Sequence, residues 1–65
     1  MSISSREIIK RIKADGWQKV GQTGSHHHFK HPTKPGKVTV VHPARDNTIG
    51  VIKDIERKTG LWLGK

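Results

Sequence analysis

The stretch Gly24-Ser25-His26-His27-His28-Phe29-Lys30-His31-Pro32 carries four of the chain's five histidines and no acidic residue, between a glycine and a proline. From His26 to His31 it reads as a strand with Phe29 turned into the core. Alternation then puts His27 and His31 on the Phe29 side and His26, His28 and Lys30 on the other. Any fold the chain adopts must therefore carry a sheet with one apolar face and one basic, histidine-bearing face.

The elements around this strand are well punctuated. Ser4-Ser5-Arg6-Glu7 has the form of a capping box, and Ile3 with Ile8 has the spacing of a hydrophobic staple. Ile8, Ile9 and Ile12 share a helical face, and Asp15-Gly16 stops the helix, which is predicted over Ser5 to Ala14. Trp17-Gln18-Lys19-Val20 is a short strand whose inward face stays open, because Trp17 and Val20 have opposite parity. Gly21 to Gly24 reads as a flexible connection.

Pro32-Thr33-Lys34-Pro35-Gly36 turns the chain, and Lys37 to Val41 is a β-branched strand with Val38 and Val40 facing the core. After the His42–Asn47 loop, Asn47 or Thr48 caps a second helix. Its stripe is Ile49, Ile52, Ile55 and Thr59 with Val51, and Gly60 ends it. Leu61-Trp62-Leu63 is expected to fold back over the core. Helix, three strands, helix in 65 residues predicts a single α+β domain spanning 1–65, with both helices on one face of a three-stranded antiparallel sheet.

Charge narrows the partners. Thirteen Lys and Arg against five Asp and Glu give a net charge of +8, a field that draws polyanions. Between Asp15 and Asp46 there is no carboxylate, while Lys19, Lys30, Lys34, Lys37, Arg45 and every histidine lie there. Nucleic acid is favoured over a membrane surface or an acidic protein. Lys30, Lys34 and Lys37 surround one hairpin and are candidate phosphate contacts, and Gly24-Ser25 is either an amide nest for phosphate or a plain turn. Trp17 and Trp62 could stack on bases, but a domain this small needs its large side chains in the core.

Several chemistries are excluded or disfavoured. The chain has no cysteine, so it has no disulfide, thiolate zinc site or thiol nucleophile. No apolar run approaches the ~20 residues of a membrane span, and Met1 to Lys10 lacks a signal-peptide pattern, so a cytoplasmic protein is expected. Adjacent strand histidines point to opposite faces, so His26, His27 and His28 cannot all hold one ion. His26 with His28 offers two ligands and no acidic neighbour in sequence completes a shell; no metal or other cofactor is expected.

The chain resembles the HicA family, small endoribonuclease toxins of bacterial toxin–antitoxin pairs. The likeness is carried by the Ile-rich first helix ending in Asp15-Gly16-Trp17, by Gly24 to Pro32, by Gly36-Lys37-Val38-Thr39-Val40, and by Ile49-Gly50-Val51-Ile52 through Thr59-Gly60-Leu61. It implies a fold similar to double-stranded-RNA-binding domains, messenger RNA as substrate, and a HicB-type antitoxin as partner in a hetero-oligomer, the free toxin being a monomer. In that family a histidine after Gly-Ser, with an aromatic residue three positions later, is catalytic. His26 with Phe29 fits this register; strand parity and resemblance together select it over His27.

RNA supplies its own nucleophile, the 2′-hydroxyl, so cleavage needs only a base, an acid and cations for the phosphate. Histidine, with an ordinary pKa of ~6.5, suits both proton transfers. His26 is the expected general base or acid, His28 its candidate partner, and Gly24, Ser25, Lys30, Lys34 and Lys37 the expected RNA contacts. Many relatives carry a proline before the histidine that follows the third strand, whereas this chain has Val41-His42-Pro43, which weakens any role carried over to His42. A non-catalytic RNA-binding module of the same fold is the alternative function.

Overall fold

In the computed structural model, which describes residues 3–63, the chain runs α1 (Ser5–Ala14), β1 (Gln18–Thr23), β2 (His26–Lys30), β3 (Lys37–Val41) and α2 (Ile49–Thr59). The ends of the expected 1–65 domain, Met1-Ser2 and Gly64-Lys65, lie outside the described residues. The strands form one antiparallel sheet in the order β1-β2-β3, which makes the histidine strand central. Phe29, Val38 and Val40 share one face of it. They are buried with Ile8 and Ile12 of α1, Ile52 and Ile55 of α2, Trp17 and Leu63 in one apolar cluster. Both helices therefore cover the same face and leave the other open, the double-stranded-RNA-binding-domain-like arrangement expected from the sequence.

At the start of α1, the Ser4 hydroxyl accepts from the Glu7 amide at 3.2 Å. The reciprocal half of the capping box does not form. Glu7 instead accepts from Arg11 one turn on, at 2.9 Å, because a guanidinium is a stronger donor than a backbone amide. Thr48, not Asn47, caps α2, accepting from the Val51 amide at 3.3 Å, while the Asn47 side chain donates to the Ile3 carbonyl at 2.8 Å.

β1 is longer than the sequence suggests. Gly21 to Thr23, expected as a flexible connection, pair with His28 to His26, and a bulge shifts the register between Lys19 and Gly21. The extra residue resolves the parity conflict: Trp17 is buried just before the strand, and Val20 sits at the bulge, 57% exposed. β2 in turn ends at Lys30 rather than His31.

His31 leaves the ladder because its ring ties together two loops. Nε2 donates to the Asp15 carbonyl at 2.8 Å, and Nδ1 accepts from the amides of Thr33 at 3.0 Å and Lys34 at 3.1 Å. The ring also meets Trp17 edge-on, with centroids 5.4 Å apart. It packs so tightly that a Cβ on Gly16, whose φ is +110°, would lie 2.7 Å from Nε2; glycine is required there twice over. His31→Ala would orphan three backbone groups, and a loss of about 1–3 kcal/mol is expected in denaturant unfolding. An unchanged midpoint would refute this structural role.

Two apolar expectations are corrected. Ile52, Ile55 and Thr59 of the α2 stripe are buried, but Ile49 and Val51 are 59% and 43% exposed. Val51 is about 100° around the helix from Ile52, and Ile49 lies in the exposed first turn. The tail does fold back, with Leu63 buried, its amide donating to Glu56 at 2.6 Å. Trp62, between a part-buried Leu61 and the buried Leu63, points outward at 75% exposure, so it is not a core residue.

Candidate functional site

Cross-strand register lays out the open face in three rows. Thr23, His26 and Val41 form the first, Gly21, His28 and Thr39 the second, Gln18, Lys30 and Lys37 the third. None of these positions is acidic. His26 is exposed, and neither of its ring nitrogens has a hydrogen-bond partner among the described residues. It is free to meet a ligand.

His28 is held differently. Its Nε2 lies 3.3 Å from the Thr23 hydroxyl and its Nδ1 3.0 Å from that of Thr39, so the ring is strung between the two outer strands. Gly21, its cross-strand neighbour, gives it room; a Cβ there would stand 3.8 Å from the ring. With both nitrogens engaged, His28 is placed to fix the surface beside His26. It is less suited to carrying protons itself.

The candidate phosphate contacts separate. Lys30 and Lys37 are direct cross-strand neighbours, exposed and without a carboxylate partner among the described residues. The Lys34 ammonium is committed elsewhere: it pairs with Asp15 and donates to the Thr59 carbonyl at 2.8 Å, joining the C-terminal ends of both helices. Proline and glycine around Lys34 signal the turn but not where its side chain goes. Gly24 and Ser25 form the β1–β2 turn. Gly24 has φ +58°, its carbonyl accepts from Gln22 at 2.9 Å, and the Ser25 carbonyl accepts from the His42 amide at 2.8 Å.

The ion pair has an acid-side consequence. The Lys34 ammonium, through its hydrogen bond above all, holds the Asp15 carboxyl below its ordinary value of 3.8, and Lys58 with Arg57 does the same for Asp54. Depressed carboxyls contribute stability that is complete above the unfolded value and is lost as pH falls through the folded one. Acid unfolding is thus expected to set in below about pH 4, and Lys34→Met should move its midpoint upward in pH when followed by circular dichroism. A midpoint that stays put would remove Asp15–Lys34 as its cause.

A second histidine group occupies the helix-covered side. His27 and His42 meet edge to face, with centroids 5.2 Å apart. The His42 Nδ1 is 2.7 Å from the hydroxyl of the buried Ser5, which also accepts from the Ala44 amide at 2.8 Å. Burial first, then the charges of Lys19, His42, His28 and Lys13, lower the His27 pKa. Strand parity puts His27 on this side from sequence alone. Its contact with His42 needs the β2–β3 register, in which His27 faces Val40 and its neighbour two residues on follows the same face.

Among the described residues, no three His, Asp or Glu side chains converge as metal ligands, and no helix is long and apolar enough to cross a membrane. Residues 5–61 match the family model described as "HicA toxin of bacterial toxin-antitoxin". No curated protein gives a significant match.

Proposed function

The chain belongs to the HicA toxin family, and from that membership we propose that this toxin is a metal-independent endoribonuclease acting on messenger RNA in the cytoplasm. The observation that carries the proposal is His26: an exposed imidazole with both nitrogens uncommitted, on a sheet face with no carboxylate. One face thus combines a group that can move protons near neutrality with cations that hold phosphate.

In the proposed reaction the RNA 2′-hydroxyl attacks the adjacent phosphorus and the P–O5′ bond breaks, leaving a 2′,3′-cyclic phosphate and a 5′-hydroxyl. His26 takes the 2′-hydroxyl proton or supplies the one the leaving oxygen needs, and solvent water exchanges the other. Lys30 and Lys37, four strand positions from His26 or its partner Val41 and hence about 13 Å away, grip a neighbouring phosphate rather than the scissile one. The Gly24–Ser25 turn lies beside His26 and borders the same strand of RNA. His28, fixed by its threonines, keeps the surface under the scissile group rigid.

A HicB-type antitoxin is the proposed partner, neutralising the toxin by laying carboxylates over this face in a hetero-oligomer. The free toxin is proposed to be a monomer. Purified toxin, incubated with RNA in excess chelator, is expected to yield 5′-hydroxyl and cyclic-phosphate ends. Salt-dependent binding with intact RNA would instead favour the binding module.

A further inference from the structure

Beyond the sheet face, one cavity of about 470 Å³ opens between the start of α1 and the loop after β3. It is lined by Ser4, Ser5, Arg6, His42, Pro43, Ala44 and Arg45. Its size lies in the range that holds a small ligand. The lining is mixed in a particular way: Pro43 and Ala44 supply apolar wall, Arg6 and Arg45 supply charge, and no carboxylate lines it.

Ion pairs among the described residues occupy Arg11, Lys34, Arg57 and Lys58, and neither Arg6 nor Arg45 has one. A guanidinium presents a planar fork that fits phosphate oxygens in pairs, and two of them at one cavity favour a phosphate over a lone carboxylate. His42 adds an imidazole. Its Nδ1 lies 2.7 Å from the Ser5 hydroxyl, which accepts from the Ala44 amide, and its Nε2 has no partner among the described residues.

The cavity adjoins the histidine face. Val41 pairs with His26, and His42, the next residue, donates its amide to Ser25, the residue before His26. Both lie at the same end of the sheet, so a strand of RNA leaving His26 can reach the cavity around that end.

We propose that this cavity is a nucleotide subsite for the RNA, with a phosphate between Arg6 and Arg45 and the base or ribose against Pro43 and Ala44. The inference rests on the RNA reading of the toxin given above. The sheet face supplies the chemistry, and the cavity supplies grip on a nucleotide to one side of the cut.

The test uses the full chain with His26→Ala, so that the RNA survives, and a fluorescent single-stranded RNA octamer as probe. Adding Arg6→Gln and Arg45→Gln is expected to weaken binding about tenfold or more and to reduce the salt slope by about 0.7, the value for one phosphate on a single strand. Lys10→Gln with Lys53→Gln removes the same charge from the helices and should change affinity less than about threefold. Equal losses in the two pairs would overturn the subsite, leaving only a general field. Arg6→Lys with Arg45→Lys keeps the charge but not the fork. It is expected to lose part of the affinity even if the Gln pair proves unstable in a thermal melt, and full affinity would overturn the assignment.

The controls separate the two readings. If the His26→Ala chain binds the octamer and the arginine pair makes no difference, the subsite falls and the RNA reading stands. If neither wild type nor His26→Ala binds RNA, both fall. A Glu-rich peptide that needs the arginine pair, while the octamer does not, would reassign the cavity to an acidic protein and overturn the proposal.

Discussion

His26→Ala is expected to abolish growth arrest on induction and to slow RNA cleavage by about 100-fold or more, the scale of a lost acid–base group. The same chain should melt at the wild-type temperature. That pairing follows from the environment of His26: the ring is exposed, no hydrogen bond within the described residues depends on it, and the Phe29 side of the strand is unaffected by its removal. Wild-type cleavage by the mutant would eliminate His26 as the reacting group. A mutant both inactive and unfolded would show that the ring has a structural role. His28→Ala makes an informative companion, because it releases Thr23 and Thr39 and should reduce cleavage less than His26→Ala does.

Phe29→Ala is expected to fail for the opposite reason. Phe29 is fully buried on the central strand among Ile8, Ile12, Val38 and Ile52, and truncating it leaves a cavity costing about 3–5 kcal/mol. A domain of this length has about 3–10 kcal/mol of stability in total. The melting temperature should fall by about 15–30 °C, and toxicity should vanish with the fold at growth temperature. Far-ultraviolet circular dichroism distinguishes the two losses. Native signal in Phe29→Ala at 37 °C would show that the core is more redundant than one apolar cluster implies.

The neighbouring effects of residues 26 and 29 show how far sequence can be read. Binary pattern and punctuation were enough for the order and type of every element, though not for the bounds of β1 and β2. Serine and threonine caps, the β-branched β3 and glycine stops are local signals that no tertiary contact overrode. Strand parity likewise divided His26 and His28 from His27, because alternation in a strand is a property of the backbone itself.

Misplacements arose where one residue changed the count or a long side chain chose among distant partners. The bulge at Val20 inserts a residue that no composition signal announces, so β1 was read short and its inward face could not be settled. Lys34 looks like its neighbours Lys30 and Lys37 in sequence, but only it finds Asp15 and the end of α2 within reach. His31 shares the parity of Phe29 and yet serves two loops. Trp62 has the composition of a core residue and the position of a surface one.

The sequence by itself therefore determined the order of elements, the two-sided character of the sheet and the placing of His26 on its open face. These follow from periodicities the backbone imposes within a few residues. Only the tertiary structure decided which histidines are free. His28, His31 and His42 are each tied by at least one partner between 5 and 37 residues away, whereas His26 has none among the described residues. It also brought Arg6 and Arg45 to one cavity from opposite parts of the chain. Such pairings depend on the register and packing of whole elements, which no local pattern encodes.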